Sequence, residues 1–287
     1  MKKTKFYSTA LCALLLSATQ SCIFEHKANQ PQQQPVADTA TVNLTFKDSV
    51  GKSQIASVFS GVLPTVKNAP LYKSVHEWIN DYSGGEFAIK DSLDMKPTLE
   101  YYQRTWIKSS KEQLQQMEQV DYVTDYSLDC TFNVKAQTDK YLSLAMSTYR
   151  YEGGAHGSTV ICQQTFRKSD GRLLGWGNII KPESMYDFQE VLKKYVMKYL
   201  NVTTEEELKE NLLNPDLVYG MLQPQTPPIL TTEGLYFVFQ QYEICAYSIG
   251  MPDGIIPYEE IKDMLTTSAL GLLDLPEFAG TPIADKE

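Results

Sequence analysis

Residues 126 to 167 alternate between apolar and polar side chains. In the first segment the apolar positions are two residues apart and are Tyr126, Leu128, Cys130, Phe132 and Val134. Segments 141–151 and 159–167 continue the pattern, with turn residues at 138–140 and a hairpin signal at Ser169-Asp170-Gly171. A period of two predicts strands that bury one face. We therefore expect an antiparallel β-sheet meander in this part of the chain.

Apolar residues at helical spacing occur on both sides of this meander. The pattern predicts helices at 69–81, 98–119, 182–200, 203–213 and 257–265. It predicts further strands at 41–46, 235–239 and 243–249. Strands and helices do not alternate regularly, as they would in a doubly wound sheet. The predicted fold class is α+β, with the antiparallel β-sheet meander packed against several helices.

The most unusual short segment lies between two of the predicted strands. Tyr151-Glu152-Gly153-Gly154-Ala155-His156-Gly157 holds three of the 16 glycines and one of the 3 histidines. Glycines let a backbone turn tightly or approach a partner closely. A structural role for His156, pinning the turn, is favoured over catalysis, because no partner residue lies at a spacing that defines a triad or a metal site. We predict no catalytic residue, no metal site and no cofactor.

Two acids and a group of tyrosines are the remaining candidates for a binding site. Glu152 adjoins the glycines, and Glu243 lies in an aromatic segment with Tyr242 and Tyr247. Tyrosines are frequent in binding surfaces, and they are also frequent in half-buried strands. The candidate ligand-binding or partner-binding residues are Tyr151, Glu152, Gly153, Gly154, His156, Gly157, Tyr242, Glu243 and Tyr247.

The first 22 residues have the pattern of an export signal. Three lysines precede a short apolar core at 11–16, and Cys22 follows small residues, as in a bacterial lipobox. We expect lipidation of Cys22, with ordinary secretion as the alternative. Residues 23–40 are rich in Gln and Pro and predict a flexible linker. The predicted location is the cell envelope, as an outer-membrane lipoprotein that faces the periplasm or the cell surface.

The charge of the chain indicates which classes of partner it favours. The chain has 26 Lys and Arg against 35 Asp and Glu, a net charge of −9, and removal of the signal with its three lysines leaves 23 against 35, or −12. This charge argues against a nucleic-acid partner and favours a basic one.

The three remaining cysteines lie in apolar segments, and they are Cys130, Cys162 and Cys245. We expect buried thiols there. One disulfide between two of them is the alternative.

Two motifs together carry a resemblance to a known family. One is Gly153-Gly154-Ala155-His156-Gly157, and the other runs from Gly234 to Gly250 and is followed by Ile256-Pro257-Tyr258. The combination resembles DUF3298, a family of domains of unknown function that usually follows a companion domain, DUF4163. The resemblance implies a DUF4163-like N-terminal region at 41–125, a DUF3298-like domain at 126–268 and a C-terminal tail at 269–287.

The resemblance also implies what such a module does. Relatives include the outer, lysozyme-binding domain of an anti-sigma factor, and the region that precedes a peptidoglycan deacetylase domain. The implied role is binding, and Gly250 is a further motif position. The leading hypothesis is a non-enzymatic envelope lipoprotein that binds a protein or cell-wall ligand, with a lysozyme-like muramidase as the best single candidate. The alternative is a protein that binds or modifies peptidoglycan or another saccharide, with His156 at its site.

Overall fold

The computed structural model describes residues 38–66, 69–89, 94–118, 123–219 and 222–273. The predicted export signal with Cys22, most of the predicted linker and the end of the predicted tail lie outside the described residues. Within the described ranges, no helix has both the length and the apolar character needed to cross a membrane.

The N-terminal part consists of a long hairpin followed by two helices. Its elements are β1 (Thr39–Val50), β2 (Ser53–Pro64), α1 (Pro70–Tyr82) and α2 (Lys96–Glu118). The two helices confirm those predicted at 69–81 and 98–119. The sequence pattern does not predict β2, because the buried positions of that strand include the polar Ser57, and Gly61 interrupts the apolar run.

Six strands form one mixed sheet in chain order. The remaining members are β3 (Tyr126–Gln137), β4 (Tyr141–Glu152), β5 (Ser158–Arg167) and β6 (Leu173–Leu174). Strands β3 to β6 pair antiparallel, as the meander predicts, but β2 and β3 pair parallel. The helices α1 and α2 supply the long crossover that a parallel pair requires. The α+β class is therefore confirmed, and the sheet is mixed instead of antiparallel throughout.

The C-terminal part builds a second layer from short elements. These are α3 (Trp176–Ile179), α4 (Met185–Leu200), α5 (Glu205–Asn211), β7 (Ile229–Leu230), β8 (Leu235–Val238), β9 (Asp253–Ile256), α6 (Tyr258–Ile261) and α7 (Thr267–Leu270). Strands β7 to β9 form an antiparallel sheet. Phe188 and Leu192 of α4 are fully buried in a core that also contains Phe237 of β8 and Ile256 of β9.

Two predicted boundaries do not coincide with breaks in the structure. The division at residue 125 stays a prediction, and it falls within a single sheet, because β2 pairs with β3 across it. The predicted tail begins inside α7, where Ala269 is buried, and Leu272 and Leu273 just after that helix are buried as well. The first residues of that segment therefore belong to the core.

The predicted strand at 243–249 is wrong. After β8 the chain turns at Gln240–Glu243, where the Glu243 amide donates to the Gln240 carbonyl at 3.1 Å. Tyr247–Ile249 then forms a 3₁₀ turn. Aromatic and apolar residues favour a strand locally, but this segment bonds to residues far away in the sequence. Tyr247 donates to the Gly157 carbonyl, and the Ile244 carbonyl accepts from the Leu213 amide at 2.8 Å.

The two faces of the main sheet are covered differently. Gln103 of α2 donates to the Ser57 hydroxyl of β2 at 3.1 Å, which places α2 on one face. Ser143 of β4 donates to the carbonyl of Leu230 at 2.6 Å, which places the C-terminal layer on the other face. Side chains alternate along β4. Tyr149 and Tyr151 thus share the face of Ser143, while Arg150 and Glu152 share the face covered by α2.

Candidate functional site

The glycine–histidine turn between β4 and β5 meets the segment 240–250 from the C-terminal layer. The ring of His156 stacks on the ring of Tyr247, with centroids 3.8 Å apart and an interplanar angle of 18°. The Tyr247 hydroxyl donates to the Gly157 carbonyl at 3.1 Å. His156 Nδ1 lies 2.9 Å from the same carbonyl and donates to it, because a carbonyl oxygen only accepts. These contacts are those expected of a residue that pins the turn, and the pinning role of His156 stays a prediction.

The glycines of the turn serve two different purposes. Gly153 and Gly154 have φ values of 85° and 93°, a region that other residues avoid. The Tyr151 hydroxyl closes this turn by donating to the Gly154 carbonyl at 3.0 Å. Gly157 is buried under the ring of Tyr149, and an added Cβ would overlap that ring. The sequence thus requires small residues here for backbone shape and for close packing.

Two glutamines attach the 240–250 segment to the outer edge of β5. The Gln240 side chain accepts from the Ile161 amide and donates to the Ile161 carbonyl, both at 2.9 Å. The Gln241 side chain accepts from the Thr159 amide at 2.8 Å. β6 covers this edge only at Thr165 and Phe166. The glutamine side chains therefore take the place of a neighbouring strand over residues 159–161.

An exposed group of rings results from this arrangement. We call it the aromatic surface and define it as Tyr149, Tyr151, His156, Tyr242 and Tyr247. Tyr242 is 54% exposed, and its φ of 63° is unusual for a residue other than glycine. It lies 5.8 Å from the Tyr247 ring, and Tyr149 is 37% exposed on the neighbouring strand. Exposed aromatic rings held by rigid backbone are typical of binding surfaces.

Glu243 lies next to Tyr242, and each of its two carboxylate oxygens accepts a hydrogen bond from a backbone amide. Its carboxylate accepts from the Gln240 amide at 2.6 Å and from the Gln225 amide at 2.7 Å. Burial raises the pKa of Glu243, and the two amide hydrogen bonds oppose that rise. The carboxylate therefore fixes the turn that presents Tyr242.

The structure does not bring Glu152 together with His156. Its carboxylate accepts from the indole nitrogen of Trp106 at 2.7 Å, on the face covered by α2. In the described ranges, no group of three or more His, Cys, Asp or Glu residues could hold a metal ion. Cys130, Cys162 and Cys245 are free and buried, and burial raises the pKa of the Cys130 thiol to about 12. A thiol with such a pKa is not a nucleophile at neutral pH.

Two family models match the chain, each over a different part. The model of the family described as deacetylase PdaC matches residues 18–159, and the model of the DUF3298 family of unknown function matches residues 177–259. The predicted resemblance to the DUF3298 family is confirmed. The glycine–histidine turn lies in the first match and Tyr242 to Gly250 lie in the second, so the aromatic surface joins both. No curated protein matches the chain.

Two crystal structures share the fold at low sequence identity. A DUF3298 family member from Bacteroides fragilis has a TM-score of 0.66 and 20% identity, and the match covers 82% of this chain and 96% of that one. A DUF3298 family protein from Pseudomonas aeruginosa has a TM-score of 0.59 and 15% identity, with 80% and 95% covered. At these identities the comparison establishes the DUF3298 fold alone.

Substitutions at His156 and Tyr247 test whether this pair pins the turn. His156→Ala removes the stack, and Tyr247→Phe removes the hydrogen bond to Gly157. Each is expected to lower the free energy of unfolding by about 0.5–1.5 kcal/mol. The double variant should lose less than the sum, because both groups hold one turn. Urea titration measures this, with Tyr186→Phe on α4, 62% exposed, as the matched control. An unchanged midpoint for His156→Ala would contradict the pinning role.

Removal of the Glu243 carboxylate tests whether it holds the turn at Tyr242. Glu243→Ala leaves two backbone amides without their acceptor and is expected to cost about 1–3 kcal/mol. Because the folded pKa of Glu243 is raised, the stability it contributes is complete at acidic pH and falls as the pH rises through that pKa. The loss on substitution should therefore be larger at acidic than at neutral pH, with Glu233→Ala as the control. The opposite slope would show that the amide hydrogen bonds outweigh burial.

Proposed function

We propose that this protein is a non-enzymatic lipoprotein of the cell envelope whose aromatic surface binds a basic protein, with a lysozyme-like muramidase as the expected partner. One observation carries the proposal. The turn at Gly157 and the segment at Tyr247 lie 90 residues apart in the sequence, and they are joined by a hydrogen bond and a ring stack. Together they present tyrosines around one turn. Large rings on an ordered backbone lose little conformational entropy when a partner binds.

The charge of the chain supports a basic partner. With a net charge of −9 and a sequence pI near 5.0, the protein attracts cationic proteins over long range and accelerates their encounter. This attraction does not determine where the partner docks. The aromatic surface supplies the short-range contacts that fix its position.

Binding has more support than catalysis at this surface. Glu243 is engaged with two backbone amides, Glu152 is bonded to Trp106, and His156 is stacked and bonded to Gly157. The name of the family matched at residues 18–159 speaks of a deacetylase, and we do not extend that activity to this chain.

Calorimetric titration of the full-length chain with a basic lysozyme tests the proposal. Tyr242→Ala removes the most exposed ring of the surface. It is expected to raise the dissociation constant by about tenfold or more. Tyr186→Ala, which removes a ring of similar exposure on α4, should leave the affinity unchanged. Added salt should slow association, because long-range attraction is screened.

Two results would contradict the proposal. One is the absence of heat at low salt. The other is equal loss of affinity in Tyr242→Ala and Tyr186→Ala, which would indicate nonspecific charge attraction. The thermal midpoint of both variants should stay near that of the unchanged chain, since neither ring is buried.

A further inference from the structure

A cavity of about 360 Å³ lies on the opposite face of the sheet from the aromatic surface. Its walls are α2 and the end of α1 with the residues that follow it, and its floor is formed by β2, β3 and β4. Arg150 and Glu152 enter it from β4, where they alternate with Tyr149 and Tyr151 of the aromatic surface. The volume falls within the range of small-molecule binding sites.

The aromatic walls of this cavity are fixed in position. Trp106 is 8% exposed, and its indole N–H donates to Glu152 at 2.7 Å. The Tyr102 hydroxyl accepts from the Glu86 amide at 2.9 Å and donates to the Asn80 side chain at 2.8 Å. These bonds hold both rings in place before any ligand enters. The rings therefore lose little conformational entropy when a ligand binds.

The polar groups of the cavity are nearly balanced in charge. The Arg150 guanidinium lies 4.0 Å from the Glu152 carboxylate, and Glu86 adds a second acid. No positive charge is in excess among these lining residues, which disfavours an anionic ligand such as a phosphate. Planar side chains and hydroxyls offer many donors and acceptors around an apolar floor. The uncharged polar members, apart from the tyrosines, are Ser83, Thr105, Ser109, Gln113 and Thr148.

We propose that this cavity binds a short neutral saccharide. A sugar ring has an apolar C–H face, which packs against aromatic rings, and an edge of neighbouring hydroxyls, which suit paired planar groups such as Arg150 and Glu152. The cavity combines these two requirements within one volume of suitable size. The inference is independent of the proposed function, because it concerns the other face of the sheet.

The indole groups provide a direct probe of occupancy. The chain has 3 tryptophans, and Trp106 lines the cavity, whereas Trp78 and Trp176 are not among its lining residues. In nitrogen-15 spectra of the full-length chain, chitobiose, cellobiose or maltose at millimolar concentration should shift the Trp106 indole resonance and leave the other two in place. Trp106→Phe assigns the resonance. Inorganic phosphate serves as the anionic control and should produce no shift.

Variants then separate the cavity from the aromatic surface. Arg150→Met keeps the length of the side chain but removes its donors, and it should weaken saccharide binding by about tenfold or more. Tyr242→Ala should leave saccharide binding unchanged. The saccharide site and the partner-binding site are therefore tested independently of each other. The proposal is overturned if none of the three saccharides shifts Trp106, if phosphate shifts it equally, or if Arg150→Met binds as tightly as the unchanged chain.

Discussion

The aromatic surface depends on how the outer edge of β5 is satisfied. Backbone N–H and C=O groups at a strand edge require partners, and β6 supplies them only at Thr165 and Phe166. Over residues 159–161, the side chains of Gln240 and Gln241 supply them instead. This attachment sets the position of the following turn and hence of Tyr242 and Tyr247. Without it, the His156 stack would have no partner held in register.

Periodicity predicts the parts of the fold whose contacts are regular. Strands β3 to β5 and the long helices α1, α2 and α4 have clear apolar patterns, and the structure confirms them. The α+β class follows from these elements. The parallel pair of β2 and β3 is not visible in the sequence, because pairing direction depends on how α1 and α2 cross the sheet.

In the candidate site, too, the sequence predicts the features that depend on local geometry and misses those that depend on distant contacts. The sequence identifies the residues of the turn, and the roles of Gly153 and Gly154 follow from local backbone geometry. The segment at 243–249 resembles a strand by composition, yet the turn that leads into it is held by Gln240 and Gln241. Their side chains bond to residues about 80 positions earlier, at Thr159 and Ile161. Glu152 and Glu243 are neighbours of the site in sequence, but alternation along β4 and two backbone amides direct their carboxylates elsewhere. Periodicity contains no information on such distant contacts.

Alternation along β4 gives one strand two surfaces, with tyrosines on one face and the cavity groups on the other. We expect a partner to dock on the tyrosine face. Peptide-resolved hydrogen–deuterium exchange of the full-length chain, with and without a basic lysozyme, tests this most directly. We predict that the partner slows exchange in both 149–159 and 240–250 and leaves α2 unchanged. Slowed exchange confined to α2, or to one of the two segments, would contradict the account.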